Sequence, residues 1–241
     1  MKSCFLILLG AGTVLWAQRP GWNFEPAFRG HFEGKVVTGE PYSGTAVTTR
    51  TQTLAGGNTI NEASCAKVYR DSSGRTRREE TRNAATCSAT PDTIFISDPV
   101  AGVAYVINTK NSTYRQMTIK TPTSDATPQA RTRPANPNAM ETSLGSKAIP
   151  GSSLSAQGTQ IVNNIPAGRF GNAQAITITS TRWYSPDLQI VTESTRTDPR
   201  NGNMSYLLTI SSQAEPAESL FQLPSGLTLQ QGRARGAHRA P

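Results

Sequence analysis

Histidine is almost missing from this chain of 241 residues, which has only His31 and His238. A Ser-His-Asp hydrolase would have to rest on His31 in "FRGHFEG", and no nucleophile elbow accompanies it. Zinc needs three or four His, Cys or carboxylate ligands, which two histidines and three cysteines do not supply in any recognisable spacing. The carboxylates Glu79, Glu80, Asp98, Asp187, Glu193 and Asp198 are too dispersed to single out an acid/base pair, and the adjacent Glu79 and Glu80 would point to opposite faces of a strand. No catalytic residue, metal or cofactor is therefore expected. Aromatic residues make up 7% of the chain, and none interleaves with the basic run "RTRREETR". The arginines are scattered rather than gathered on one element, so nucleic acid is not an expected partner.

Long apolar runs are also missing after the first sixteen residues. The hydrophobic content is 36% and the mean hydropathy −0.42, so no transmembrane segment is expected in the mature chain. The one apolar stretch, Phe5 to Trp16, follows Lys2 and precedes Ala17, the layout of a secretory signal peptide over 1–17. Cys4 lies ahead of that stretch, where a lipidated cysteine would not be. Export to the periplasm or the outside of the cell follows as an expectation. There Cys65 and Cys87 are expected to bridge, with two free thiols as the second reading; closing this loop would be worth about 3 kcal/mol. Pairing across the "DSSG" turn sets Cys65 near Glu80, so a bend or bulge is needed to bring Cys87 alongside.

Thr, Val and Ile alternate with polar residues through most of the chain. "TAVTTRTQTL" and "TINEASCAKVYR" are expected strands around an "AGGN" turn, and "DSSG" leads into "RTRREETR". Charges on both faces of that last run predict an exposed or edge strand. "TIFISD", "GVAYVIN" and "TYRQMTI" follow as short strands. Beyond residue 153, Ile176 and Ile178, Leu188 and Ile190, and Met204, Tyr206, Leu208 and Ile210 each keep a strand period. "YSPDL" and "DPRNGN" are tight turns, the first a corner in which the consecutive Trp183 and Tyr184 point to opposite sides. Pro216 suits the start of one short helical turn in "EPAESLF". The expected fold is mainly β, a curved antiparallel sheet of meander or half-barrel form with one short helix. A single β-rich domain spans 18–229, interrupted by a Pro-, Thr- and Ser-rich flexible insertion over 120–153, and 230–241 forms a basic disordered tail.

The segments "VVTGEPYSGTAVTTRTQTLAGGN", "KVYRDSSGRTRREE", "DPVAGVAYVI", "IPAGRFGN", "RWYSPDLQIV", "TDPRNGNMSYLLT" and "EPAESLFQLPSG" resemble, in order and spacing, the motifs of a family of exported proteins common in Acidobacteria that has no assigned activity. More distantly, the succession of strand, polar turn, Arg-rich strand, Asp-Pro and apolar strand is similar to the periplasmic lipoprotein-carrier (LolA-like) fold. That likeness implies a curved antiparallel sheet sheltering acyl chains. The chain departs from it in having no clear amphipathic helix near its start and in carrying the insertion.

The expected role is that of a non-enzymatic exported protein binding a lipid or an anionic envelope component on one face of the sheet. Tyr105, Ile107, Ile176, Ile178, Trp183, Tyr206 and Leu208 are the candidate contact residues, with Val103, Leu188 and Ile190 on the same alternating strands. A closed core without a cavity is the plain alternative for this set. A structural or adhesive protein whose Thr-rich outer face and basic tail meet polysaccharide is a second reading, and a hydrolase with an unidentified carboxylate pair a third. Composition says nothing about oligomeric state.

Overall fold

The computed structural model describes residues 36–119 and 137–230. The expected signal peptide, Cys4, both histidines, residues 120–136 and the tail from 231 onward lie outside the described residues.

Twelve strands form one curved, open, almost wholly antiparallel sheet. In chain order they are β1 (Tyr42–Thr53), β2 (Thr59–Arg70), β3 (Thr76–Arg82), β4 (Thr93–Asp98), β5 (Val103–Asn108), β6 (Thr113–Thr118), β7 (Ala139–Ala148), β8 (Ser155–Ile165), β9 (Ile176–Ser185), β10 (Ile190–Asp198), β11 (Gly202–Ser212) and β12 (Thr228–Leu229). Glu218–Phe221 make a single 3-10 turn, within the stretch read as a short helix. The spatial order β12-β6-β5-β4-β3-β2-β1-β11-β10-β9-β8-β7 joins two meanders at a β1/β11 seam.

Turn chemistry sets the reversals. In "AGGN", Gly56 and Gly57 adopt φ of +90° and +85°, and Leu54 N–H donates to Asn58 O at 2.7 Å. Such φ values are open to glycine and costly for other residues. In "DSSG", Gly74 N–H donates to Asp71 O at 3.1 Å, while the buried Asp71 carboxylate accepts from Arg75 N at 2.7 Å and from the Arg75 guanidinium.

Two expectations are corrected. The "RTRREETR" strand is not at an edge: β3 lies between β2 and β4, with Arg77 and Arg78 buried. Its charges are tolerated inside because they find partners. Arg77 donates to Glu79 Oε1 at 2.7 Å and to Leu220 O at 2.9 Å. Residues 139–148, expected within the flexible insertion, instead form β7. β7 is an outermost, almost wholly exposed strand, so it lacks the apolar alternation that marks a buried face. β6 and β7 sit near opposite ends of the sheet, ten inter-strand steps apart, or roughly 50 Å along its surface.

The core has two parts. One gathers Tyr42, Ala46, Ala66, Val68, Ile149, Leu188, Tyr206, Leu208 and Ile210 around the seam. The β7–β8 turn closes this region, because Ile149 N–H donates to Leu154 O at 2.9 Å and Ile210 N–H donates to Pro150 O at 2.9 Å. The other part is Ile94, Ile96 and Ile107 on β4 and β5, with Tyr105, Tyr114, Leu223 and Leu227 packed on it. The Cys65–Cys87 bridge is formed, with Cα atoms 5.2 Å apart. Cys65 pairs in register with Thr81, and the chain after β3 supplies the bend that returns Cys87 to it.

Candidate functional site

Residues directly opposite one another in an antiparallel ladder share a face, so the register sorts every strand position to one side of the sheet or the other. Leu208 pairs with Ala46, Ala46 with Ala66 and Ala66 with Glu80; Glu80 pairs with Thr93 and Thr93 with Asn108. This side is termed the Leu208 face. It also carries Tyr206, Val68, Arg78, Phe95 and Val106 and, beyond the seam, Ser194, Arg182, Ile178 and Ile176. The opposite side, the Thr195 face, carries Cys65, Ile94, Ile96, Tyr105 and Ile107 as well as Trp183.

The seven candidate contact residues therefore do not form one surface. Tyr206, Leu208, Ile176 and Ile178 lie on the Leu208 face. Tyr105 and Ile107, with Val103, lie on the other, under Leu223 and Leu227 of the C-terminal segment. Trp183 also lies on the Thr195 face, directly opposite Gly158, where an added Cβ would come within 2.6 Å of the indole. Lys147 Nζ sits 4.1 Å from the Trp183 ring centroid and is ion-paired with Glu193. Period-two alternation identifies faces within one strand; which faces coincide depends on pairing register, which a single strand does not reveal.

On the Leu208 face the seam is floored by small residues. Gly44, Ala46 and Ala66 lie between the larger Val68, Tyr206 and Leu208. Gly44 is required by close approach, since a Cβ there would lie 2.6 Å from Thr209 O. Around this buried floor the same face carries apolar side chains open to solvent: Ile60, Met117 and Ile161 are each 40–42% exposed. Cations ring it. Arg50, Arg78, Arg82, Arg115, Arg182 and Arg196 outnumber Glu62, Glu80, Glu141 and Asp198 on this face. Arg182 is exposed, its guanidinium 5.2 Å from the Tyr184 ring centroid. Arg70, buried, donates to Glu40 O at 2.9 Å and Leu188 O at 2.8 Å. Burial lowers its pKa and raises that of the neighbouring Tyr42.

The carboxylates considered for catalysis are dispersed by the fold. Glu79 holds Arg77, Glu193 holds Lys147, and Asp98 caps its turn through Val100 N and Ala101 N at 2.9 and 2.8 Å. Asp198 accepts from Arg200, Asn201 and Arg196. Among the described residues no group of three or more His, Cys, Asp or Glu is placed to hold a metal ion, and no helix is long and apolar enough to cross a membrane.

No family model matches the chain, and neither does any curated protein. Solved structures it is similar to include MucB in its complex with MucA from Pseudomonas aeruginosa, at 11% identity and a TM-score of 0.41. That match covers 80% of this chain and 59% of MucB, so the chain spans well under two thirds of that protein's length. A LolA superfamily protein from Nitrosomonas europaea is similar at 10% identity and a TM-score of 0.32, over 78% of this chain and 93% of the other. A DUF1329 family protein from Desulfovibrio piger is similar at 10% identity and a TM-score of 0.29, over 78% and 91%. A LolA superfamily protein is thus among the structures this chain resembles, and the resemblance to the Acidobacteria proteins finds no matching family.

Proposed function

We propose that the protein is an exported, non-enzymatic binding protein that holds an anionic amphiphile, an acylated component of the cell envelope, against the Leu208 face. The observation that carries this reading is that one face combines a small-residue apolar floor, exposed apolar side chains and an excess of guanidinium groups over carboxylates. An acyl chain gains about 0.8 kcal/mol for each CH₂ it buries. An anionic headgroup gains charge-assisted hydrogen bonds from arginine. Tyr206, Leu208, Ile176 and Ile178 lie on this face, the buried Tyr206, Leu208 and Ile178 beneath the proposed contact, whereas Tyr105, Ile107 and Trp183 lie on the other. The N-terminal leader pattern and the Cys65–Cys87 bridge support export.

Native mass spectrometry of protein purified gently from an exporting host tests the reading. The expected result is a bound mass that is released by organic solvent. It should be lost in a double variant of the exposed Ile161→Glu with the half-buried Met204→Glu, and weakened by Arg182→Gln. A bare protein mass, or a bound mass indifferent to all three changes, overturns it.

A further inference from the structure

The Thr195 face is divided. Over β3–β6 it lies under the C-terminal segment, whereas over β1 and β7–β11 it is open and carries ordered rows of uncharged polar side chains. Thr49 pairs with Ser205, Ser205 with Thr195, Thr195 with Thr181, Thr181 with Gln160 and Gln160 with Thr142. Six neighbouring strands thus contribute one polar group each to a single row about 24 Å long, given ~4.8 Å between strands. Two residues along the strands, Thr51, Asn203, Thr197 and Thr179 form a second row. The hydroxyls are fixed by one another: Thr49 Oγ1 and Ser205 Oγ are 2.7 Å apart, and Thr181 Oγ1 and Thr195 Oγ1 are 2.6 Å apart. A hydroxyl offers one donor and two acceptor sites, so each pair keeps bonding capacity directed away from the sheet.

A solvated surface is ordinarily roughly 25–35% charged, yet neither row contains a charge in a chain of net charge +8. The nearest charged pair on the flanking row, Lys147 and Glu193, is neutralised internally. Val47 and the exposed Leu207, in register with each other, stand on the same flanking row as Glu193. The geometry points to a binding surface for an uncharged polysaccharide laid across the strands. Its hydroxyls would meet one protein donor or acceptor per strand, and the C–H faces of its rings would rest on Val47 and Leu207. Charge complementarity selects the partner class, because a phosphorylated or carboxylated polymer would find no cation in these rows.

Retention of the mature protein on microcrystalline cellulose, chitin and immobilised dextran, at low and high salt, tests this. Binding to at least one of the three is expected to persist at high salt. Thr181→Val with Thr195→Val removes two hydroxyls without changing side-chain shape, and should weaken binding about tenfold, equivalent to ~1.4 kcal/mol, while leaving any bound amphiphile in place. Thr49→Val with Ser205→Ala repeats the test on the other side of the row in case the first pair unfolds. Absence of retention on all three matrices, retention abolished by salt, or retention unchanged by both double variants would overturn the inference.

Discussion

At the scale of single residues, the "YSPDL" corner is held by its least conspicuous members. Pro186 and Asp187 supply turn chemistry and are exposed, whereas Ser185 and Leu188 are wholly buried. Ser185 Oγ accepts from Leu188 N at 3.2 Å, and Leu188 O accepts from Arg70 across the sheet at 2.8 Å. Leu188 thus packs into the seam core and positions the guanidinium that leads back to β1 and β2. Truncation to alanine should cost about 2–5 kcal/mol, the range for a buried leucine whose site cannot fully collapse. Pro186→Gly should cost under about 1 kcal/mol, mostly through the unfolded chain. Urea unfolding midpoints of the two variants check this; equal losses would mean that the turn residues, not the buried anchor, hold the corner.

At the scale of elements, the strands themselves were legible. Thr- and Val-rich alternation and Gly-bearing turns place β1–β6 and β9–β11 almost as the structure has them, whereas β8 was not read as a strand. β7 was not legible, because an outermost strand wet on both faces has no periodicity to read, and β12 is a two-residue strand. The face on which each candidate contact residue lies was not legible either: Tyr105 and Tyr206 have the same strand pattern but stand on opposite sides through six strands of register. "DPRNGN" was legible as a turn, and the structure adds what Asp198 does there. Its buried carboxylate accepts from Arg200 N and Nε at 3.0 Å each, and from Asn201 Nδ2 at 3.1 Å. Burial pushes its pKa up, but hydrogen bonds from Arg200, Asn201 and Arg196 outweigh this and leave it well below the usual carboxylate range. A depressed folded-state value means that the stabilisation is complete above the unfolded value near ~4 and is lost as pH falls towards the folded one. Asp198→Asn should therefore unfold about 1–3 kcal/mol more easily at pH 6. The gap to the parent should narrow steadily below about pH 4. A gap independent of pH would assign the loss to shape rather than charge.

At the scale of the whole molecule, an open sheet has two edges and two faces to manage, and the C-terminal segment manages one edge and half of one face. Glu215 accepts from Ser72 N at 3.1 and 3.2 Å and from its hydroxyl. Arg75 lies over the buried Phe221, 5.2 Å from its ring centroid; Leu223 and Leu227 cover Ile94, Ile96 and Ile107. β12 then closes the β6 edge, with Thr228 N–H donating to Ser112 O at 2.9 Å and Gln230 N–H to Tyr114 O at 2.8 Å. None of these contacts touches the seam core, so the two halves of the molecule should respond separately when the strap is lost. Leu223→Asp with Leu227→Asp places two charges on an apolar face and should lower the stability of β3–β6 by several kcal/mol. The exposed β6 edge should then promote association. Hydrogen exchange should show faster amide exchange in β4, β5 and β6 and little change in β1 and β11, accompanied by rising light scattering. Because the strap lies on the opposite face, amphiphile binding at the Leu208 face should survive as long as the seam remains protected. Uniform loss of protection across all strands would instead show that the sheet unfolds as one cooperative unit and that the strap closes its only core.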